Sequence, residues 1–103
     1  MRGYGEYGRA LFLAAEEAGR VEEISLDIKA AQAAVRENPD YVKLLDTPAV
    51  SRGEKHALID EAFSALDGYC VNFLKLLCDK CIFFSLCDAV KEFGLLYDEH
   101  HNI

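Results

Sequence analysis

The sequence predicts an all-α protein, a compact bundle of about six helices in a single domain. Three observations predict it. Apolar residues recur at intervals of three and four, the helical period, and no segment alternates at intervals of two as a half-buried strand does. Only two prolines interrupt the 103 residues, and 51% of the chain is hydrophobic, enough to form a core.

Two helices are predicted in the first third of the chain, at 6–18 and 21–37. In the first helix Tyr7, Ala10, Leu11 and Ala14 share one stripe, and Gly19 is placed to end the helix. The second helix has an inward stripe that repeats by four, three and four, namely Ile24, Ile28, Ala31 and Val35.

Capping signals mark the next two helices. Asn38 is predicted to cap a short helix that begins at Pro39 and ends before Pro48, since proline disfavours helical geometry in the residue before it. Ser51 and Glu54 have the spacing of a capping box, which predicts the start of the fourth helix. Its predicted buried residues are Leu58, Ile59, Ala62 and Phe63.

The fifth helix, predicted at 68–80 with Asp67 as its cap, is the most apolar one. Its apolar residues cover more than one face, so it requires several neighbours or presents part of its surface to a partner. Ser85 to Asp88 resembles a second capping box. The final helix then carries a stripe formed by Leu86, Val90, Phe93 and Tyr97.

The charge and hydropathy patterns argue against several classes of protein. A formal charge of −7 repels a phosphate backbone, so we expect no nucleic-acid binding. No apolar run approaches the roughly 20 residues of a membrane span. The first six residues lack the apolar stretch of a secretory signal, and we therefore expect an intracellular protein.

Two motifs that could carry chemistry lack their usual context. Residues 3–8 match the dinucleotide pattern G-x-G-x-x-G, but only two residues precede them, which leaves no room for the strand that the pattern requires. Paired acids such as Glu16-Glu17 point in different directions on a helix, and His56 has no serine or thiol visibly paired with it. We expect no nucleotide site and no catalytic activity.

The four cysteines lie in the last third of the chain, and Cys78 and Cys81 form a C-x-x-C pair. Such a pair can bind zinc or act as a redox dithiol. A zinc site would need further ligands from Cys87, His100 or His101, and a second paired motif is missing. Plain packed or near-surface thiols are the favoured interpretation, and a zinc or redox module stays open as the weaker one.

Several segments, in this order and over nearly all of the chain, resemble the N-terminal domain of the delta subunit of F-type ATP synthase, called OSCP in mitochondria. The matching segments are Tyr7-Gly8-Arg9-Ala10-Leu11-Phe12, Asn38-Pro39, Leu44-Leu45 with Pro48, Val50 and Lys55, Asn72-Phe73-Leu74-Lys75-Leu76-Leu77, and Tyr97-Asp98-Glu99. One departure is Cys81-Ile82, where family members often have a Gly-Arg turn.

The resemblance implies a non-catalytic stator subunit of the peripheral stalk, without a cofactor, on the cytoplasmic face of a bacterial cell membrane that it meets only through the complex. It also implies that the N-terminal helix of an alpha subunit docks in a groove between the first and fifth helices. The positions that match this groove are Tyr7, Ala10, Leu11, Ala14, Phe73 and Leu76. The b subunits would be bound by the family's C-terminal domain, which this chain lacks, so we expect residues 1–103 to be a single-domain fragment.

The residues themselves agree with part of this. The fifth helix has more apolar circumference than one core uses, and Ala10 and Ala14 would let a second helix approach closely. The same residues could instead be ordinary core, or the domain could capture some other amphipathic helix by the same physics.

Overall fold

Six α-helices and one short 3-10 helix make up residues 5–100, the part of the chain that the computed structural model describes. The predicted all-α class is confirmed, and these residues contain no strand. The helices are α1 (Gly5–Ala18), α2 (Val21–Arg36), α3 (Pro39–Asp46), α4 (Arg52–Phe63), α5 (Gly68–Asp79) and α6 (Leu86–His100), with the 3-10 helix Phe83–Ser85 before α6. No helix within 5–100 is both long and apolar enough to cross a bilayer.

Two helices end in the same kind of left-handed turn. After α1, Gly19 has a φ of 70°, and the next amide, Arg20 N–H, donates to Ala15 O at 2.9 Å. After α5, Cys81 has a φ of 58°, and Ile82 N–H donates to Leu77 O at 3.0 Å. Both are Schellman turns, which satisfy carbonyls that a helix end would otherwise leave unpaired. The predicted stop at Gly19 is confirmed.

Two of the predicted helix caps are confirmed. Ser51 Oγ accepts from Glu54 N–H at 3.2 Å at the start of α4, and Asp67 Oδ1 accepts from Tyr69 N–H at 2.9 Å at the start of α5. Each side-chain oxygen satisfies an amide that has no partner within its own helix.

Asn38 occupies the N-cap position before Pro39 as predicted, but its side chain makes no capping bond there, and the predicted cap at Ser85 is wrong. The amide of Asn38 donates back to Ala34 O at 2.8 Å, so it satisfies the end of α2 rather than the start of α3. The hydroxyl of Ser85 donates to Ile82 O at 2.6 Å inside the 3-10 helix. That helix is capped instead by Asp46, whose carboxylate accepts from the amides of Phe83 and Phe84 at 2.7 and 3.0 Å.

The core forms where the predicted stripes of α2 and α6 meet the inner faces of α1, α4 and α5. All four predicted α2 positions are buried, as are Leu86, Val90 and Phe93 of α6. On α4, Ile59 and Phe63 are buried as predicted. Two α4 positions are corrected, since Ala62 is exposed and Lys55, which the pattern left outside, is buried.

α1 lies mostly along α6 and meets α5 over a much shorter stretch. At the crossing with α6, Gly8 is so close to its neighbour that an added Cβ would lie 2.2 Å from the backbone oxygen of Ala89. One step further along the crossing, the rings of Phe12 and Phe93 meet edge to face with centroids 5.3 Å apart. α5 is covered on other sides by α4, α2 and the 3-10 helix, so it has the several neighbours that its composition predicts.

Candidate functional site: the α1–α5 surface

The buried face of α1 is displaced from the stripe that the sequence predicts. Its centre is formed by Gly8, Leu11, Phe12 and Ala15. Of the predicted stripe only Leu11 belongs to that centre, at 5% exposure. Tyr7 and Ala14 are half-buried along one edge, and Ala10 is exposed beyond them. Three of the four predicted positions therefore follow one edge of α1, and only Leu11 lies on its buried face.

α5 has a corresponding apolar edge. Phe73 is buried at 7% exposure, and Leu76, almost one turn later, is 41% exposed. Tyr69, one turn before Phe73, is 46% exposed and was not among the predicted positions. Its spacing from Phe73 and Leu76, four and seven residues, is the helical signal that could have identified it. The outer side of α5 thus presents aromatic and aliphatic surface to solvent.

We call the six predicted positions the α1–α5 surface: Tyr7, Ala10, Leu11 and Ala14 on α1, and Phe73 and Leu76 on α5. Leu11 and Phe73 belong to one continuous core cluster, and Tyr7 packs against that cluster. Ala10 and Leu76 lie outside it. The surface thus combines buried and exposed positions of two helices, and none of its residues carries a charge.

A polar network ties the end of α1 to the start of α5. Arg20 Nε, in the turn after α1, donates to Asp67 Oδ2 at 2.6 Å, and the amide of Asp67 donates to Asp27 Oδ2 of α2 at 2.6 Å. Burial raises the pKa of Asp67, but the hydrogen bonds from the Tyr69 amide and Arg20 outweigh it, so the net pKa lies below its usual range. This network links the turn after α1 and the helix α2 to the start of α5.

The cysteines divide into two pairs by environment. Cys70 and Cys78 are buried in α5, whereas Cys81 and Cys87 are exposed. Burial raises the pKa of Cys70 to about 12, and burial also raises the pKa of Cys78, whose thiol donates to Leu45 O at 3.4 Å. Both buried thiols therefore stay protonated at neutral pH, the form that is neither nucleophile nor metal ligand.

The other chemical candidates can be placed within the described residues. Among residues 5–100 no three His, Cys, Asp or Glu side chains are grouped so that they could hold a metal ion, and His101 lies outside this range. Of the G-x-G-x-x-G pattern, residues 3 and 4 also lie outside it. Gly5 begins α1, and Gly8 makes the close contact with Ala89, so these two glycines serve a helix and its packing.

Comparison with known proteins identifies the family of this chain. The family described as "ATP synthase delta (OSCP) subunit" matches residues 4–103. ATP synthase subunit delta of Lactobacillus gasseri is 31% identical over 97 residues, which cover 94% of this chain and 53% of that protein.

Two further relatives come from distant organisms. ATP synthase subunit delta of Carboxydothermus hydrogenoformans is 38% identical over 74 residues, 72% of this chain and 42% of that protein. ATP synthase subunit 5, mitochondrial, of Saccharomyces cerevisiae is 30% identical over 102 residues, 96% of this chain and 48% of that protein. The chain spans about half the length of the curated relatives it matches. The match over nearly its whole length shows that the chain belongs to the ATP synthase delta (OSCP) subunit family.

Proposed function

We propose that this chain is a non-catalytic stator domain of the F-type ATP synthase, and that its α1–α5 surface receives the N-terminal helix of an alpha subunit. Membership of the family supports the first part. The observation that carries the second is the apolar edge of α5, where Leu76 remains 41% exposed in a protein of that family. Apolar side chains that the fold itself does not cover favour a partner that covers them.

In the proposed docking, the two helices contribute side chains of different size. Ala10 and Ala14 are small, so an incoming helix can approach the backbone of α1 closely. On the other side, Leu76 stands out from α5 and can insert between side chains of the incoming helix. Tyr7 is half-buried on the core and offers a rigid wall. An amphipathic helix with anchors at i, i+3, i+4 and i+7 fits such a surface.

A stator must hold its partner without moving, and the structure suits that task. Leu11 and Phe73, at the base of the surface, are core residues, so the surface is formed by folding and not by the partner. A preformed surface loses little conformational entropy when it binds. We further propose that the chain is the N-terminal domain of a longer subunit, whose remaining half binds the b subunits of the peripheral stalk. In this proposal it lies at the cytoplasmic face of a bacterial membrane and meets the membrane only through the complex.

The test is a titration of the chain with a synthetic peptide of the alpha-subunit N-terminal segment, followed by calorimetry and by amide shifts. Leu76→Asp and Ala10→Glu should each weaken binding about tenfold or more, because each places a charge in an apolar contact. The matched control is Leu26→Asp, which changes a leucine of α2 that is 69% exposed and far from the proposed contact in sequence.

Both surface variants should keep the helical circular dichroism of the parent, because Ala10 and Leu76 lie outside the core. The Leu26 control should bind within about twofold of the parent, since an exposed site elsewhere contributes little. Equal losses for Leu26→Asp and Leu76→Asp, or no saturable shift in α1 and α5, would contradict the proposed docking surface.

A further inference from the structure

A second feature of α5 lies at its other end, where the helix meets the start of α4. A cleft of about 330 Å³ opens there between the loop before α4, the first turns of α4 and the last turn of α5. Its lining residues are Pro48, Val50, Arg52, Lys55, Leu76, Cys78, Asp79 and Lys80. Three of these are basic and one is acidic, in a protein whose formal charge is −7.

Lys55 is the unusual residue of this cleft. It is only 5% exposed, yet within residues 5–100 its ammonium has neither a hydrogen bond nor an ion pair. The same residues contain no fully buried side-chain nitrogen or oxygen that lacks a partner. The Lys55 ammonium must therefore keep contact with solvent, and the cleft that it lines provides that contact.

The side chain of Lys55 is covered by protein except where its ammonium reaches the cleft, so the ammonium gives up part of its hydration and no anionic partner compensates for that loss. The charge of Lys55 acts on the thiol of Cys78, which burial keeps protonated and which is no substitute for an anion. The cleft therefore lacks an anion of its own to pair with Lys55, and a bound anion could supply it.

The other charges of the cleft reinforce this bias. The carboxylate of Asp79 is already engaged by Arg52 at 3.1 Å and by His56 Nε2 at 2.6 Å. Lys80 is exposed at the rim and has no ion pair among the described residues. The cleft also adjoins the N-terminus of α4, where the helix dipole favours negative charge. The only acidic residue that lines the cleft, Asp79, is thus already paired, whereas Lys55 and Lys80 have no ion pair among the described residues.

We propose that this cleft is an oxyanion-binding site in which Lys55 donates to the bound carboxylate or phosphate group and Lys80 assists from the rim. Charge-assisted hydrogen bonds of this kind are among the strongest that proteins form. Leu76 lines the cleft and is also one of the six positions of the α1–α5 surface, so the two share this residue. We therefore assign the oxyanion to a carboxylate side chain of the docked alpha-subunit segment, an assignment that rests on the proposed function.

The first experiment tests the site without any partner. Inorganic phosphate is titrated into the chain at constant ionic strength, and amide shifts are followed at the cleft. We expect a saturable response in the parent, a loss of about tenfold in affinity in Lys55→Met, and no change in Lys91→Met, which removes an exposed lysine of α6.

Lys55→Arg should retain binding because it keeps the charge. Lys80→Met should weaken binding about threefold, which provides an independent reading if Lys55→Met folds poorly. Responses that are unsaturable, or that are equal in the parent, Lys55→Met and Lys80→Met, would overturn the proposal.

The second experiment identifies the source of the oxyanion. The alpha-subunit peptide is added to the phosphate-loaded chain, alongside a peptide whose acidic residues are replaced by amides. Displacement of phosphate by the acidic peptide alone supports the assignment to a docked carboxylate. Retention of phosphate when the peptide occupies the α1–α5 surface overturns that assignment and leaves free phosphate as the ligand. If the peptide does not bind at all, the proposed function fails, and the phosphate titration still decides whether the site exists.

Discussion

α1 and α5 both place one face in the core and leave one apolar edge in solvent, but different contacts hold them in place. α1 is held by close approach, since Gly8 brings its backbone against the backbone of Ala89 in α6. α5 is held by large side chains, with Phe73, Leu74 and Leu77 buried along it. We therefore expect the protein to be destabilised by larger side chains at the α1 contact and by smaller side chains in the core of α5.

The largest expected effect is a difference in stability between a substitution on the inner face of α5 and one on its outer edge. Phe73→Ala should lower the free energy of unfolding by about 3 kcal/mol, because it leaves a cavity in the core. Leu76→Ala, three residues later and 41% exposed, should change it by less than about 0.5 kcal/mol. Urea denaturation measures both. Similar losses for the two variants would mean that Leu76 is a core residue and is not available to a partner.

The second prediction tests the close approach of α1. Gly8→Ala should lower the free energy of unfolding by about 2 kcal/mol, since the new methyl group meets backbone atoms that cannot move aside separately. Gly94→Ala, in α6, is the matched control because an added Cβ there has no atom within 4 Å. It should raise the free energy of unfolding by about 1 kcal/mol through helix propensity. A gain in stability at both positions would show that α1 and α6 are not in backbone contact.

The smallest effect concerns the two left-handed turns, which follow α1 at Gly19 and α5 at Cys81. Cys81→Gly should raise the free energy of unfolding by about 1 kcal/mol, since glycine adopts a φ of 58° without steric cost. Gly19→Ala should lower it by a similar amount, about 1 kcal/mol, although an added Cβ has nothing within 4 Å. Thermal denaturation of both variants measures these changes. If Cys81→Gly is destabilising, the cysteine side chain contributes contacts that outweigh the strain of its backbone.

Much of the fold could be predicted because helix formation is largely local. The stripe of α2, the stop at Gly19 and the caps at Ser51 and Asp67 all depend on residues within one or two turns, and all are confirmed. Asn38 is different because its side chain can bond either to the end of α2 or to the start of α3. In the structure it bonds to Ala34 O at the end of α2.

The candidate surface was harder to predict than the helices. The family resemblance placed Phe73 and Leu76 together in the groove, but it could not say that the first is buried and the second exposed. Lys55 was missed for a related reason. Charged residues are rarely buried, so a sequence pattern assigns a lysine to the surface, and only the packing of α4 against α5 covers it.

The sequence by itself determined the all-α class, nearly all the helix boundaries and the family, because each of these is encoded in residues close together or in an ordered set of motifs. Only the tertiary structure decided which edge of each helix stays uncovered, that Gly8 is a contact point between two backbones, and that Lys55 faces a cleft. The physical reason is that helical periodicity defines a face but not its neighbour, whereas burial depends on the neighbour that long-range packing supplies.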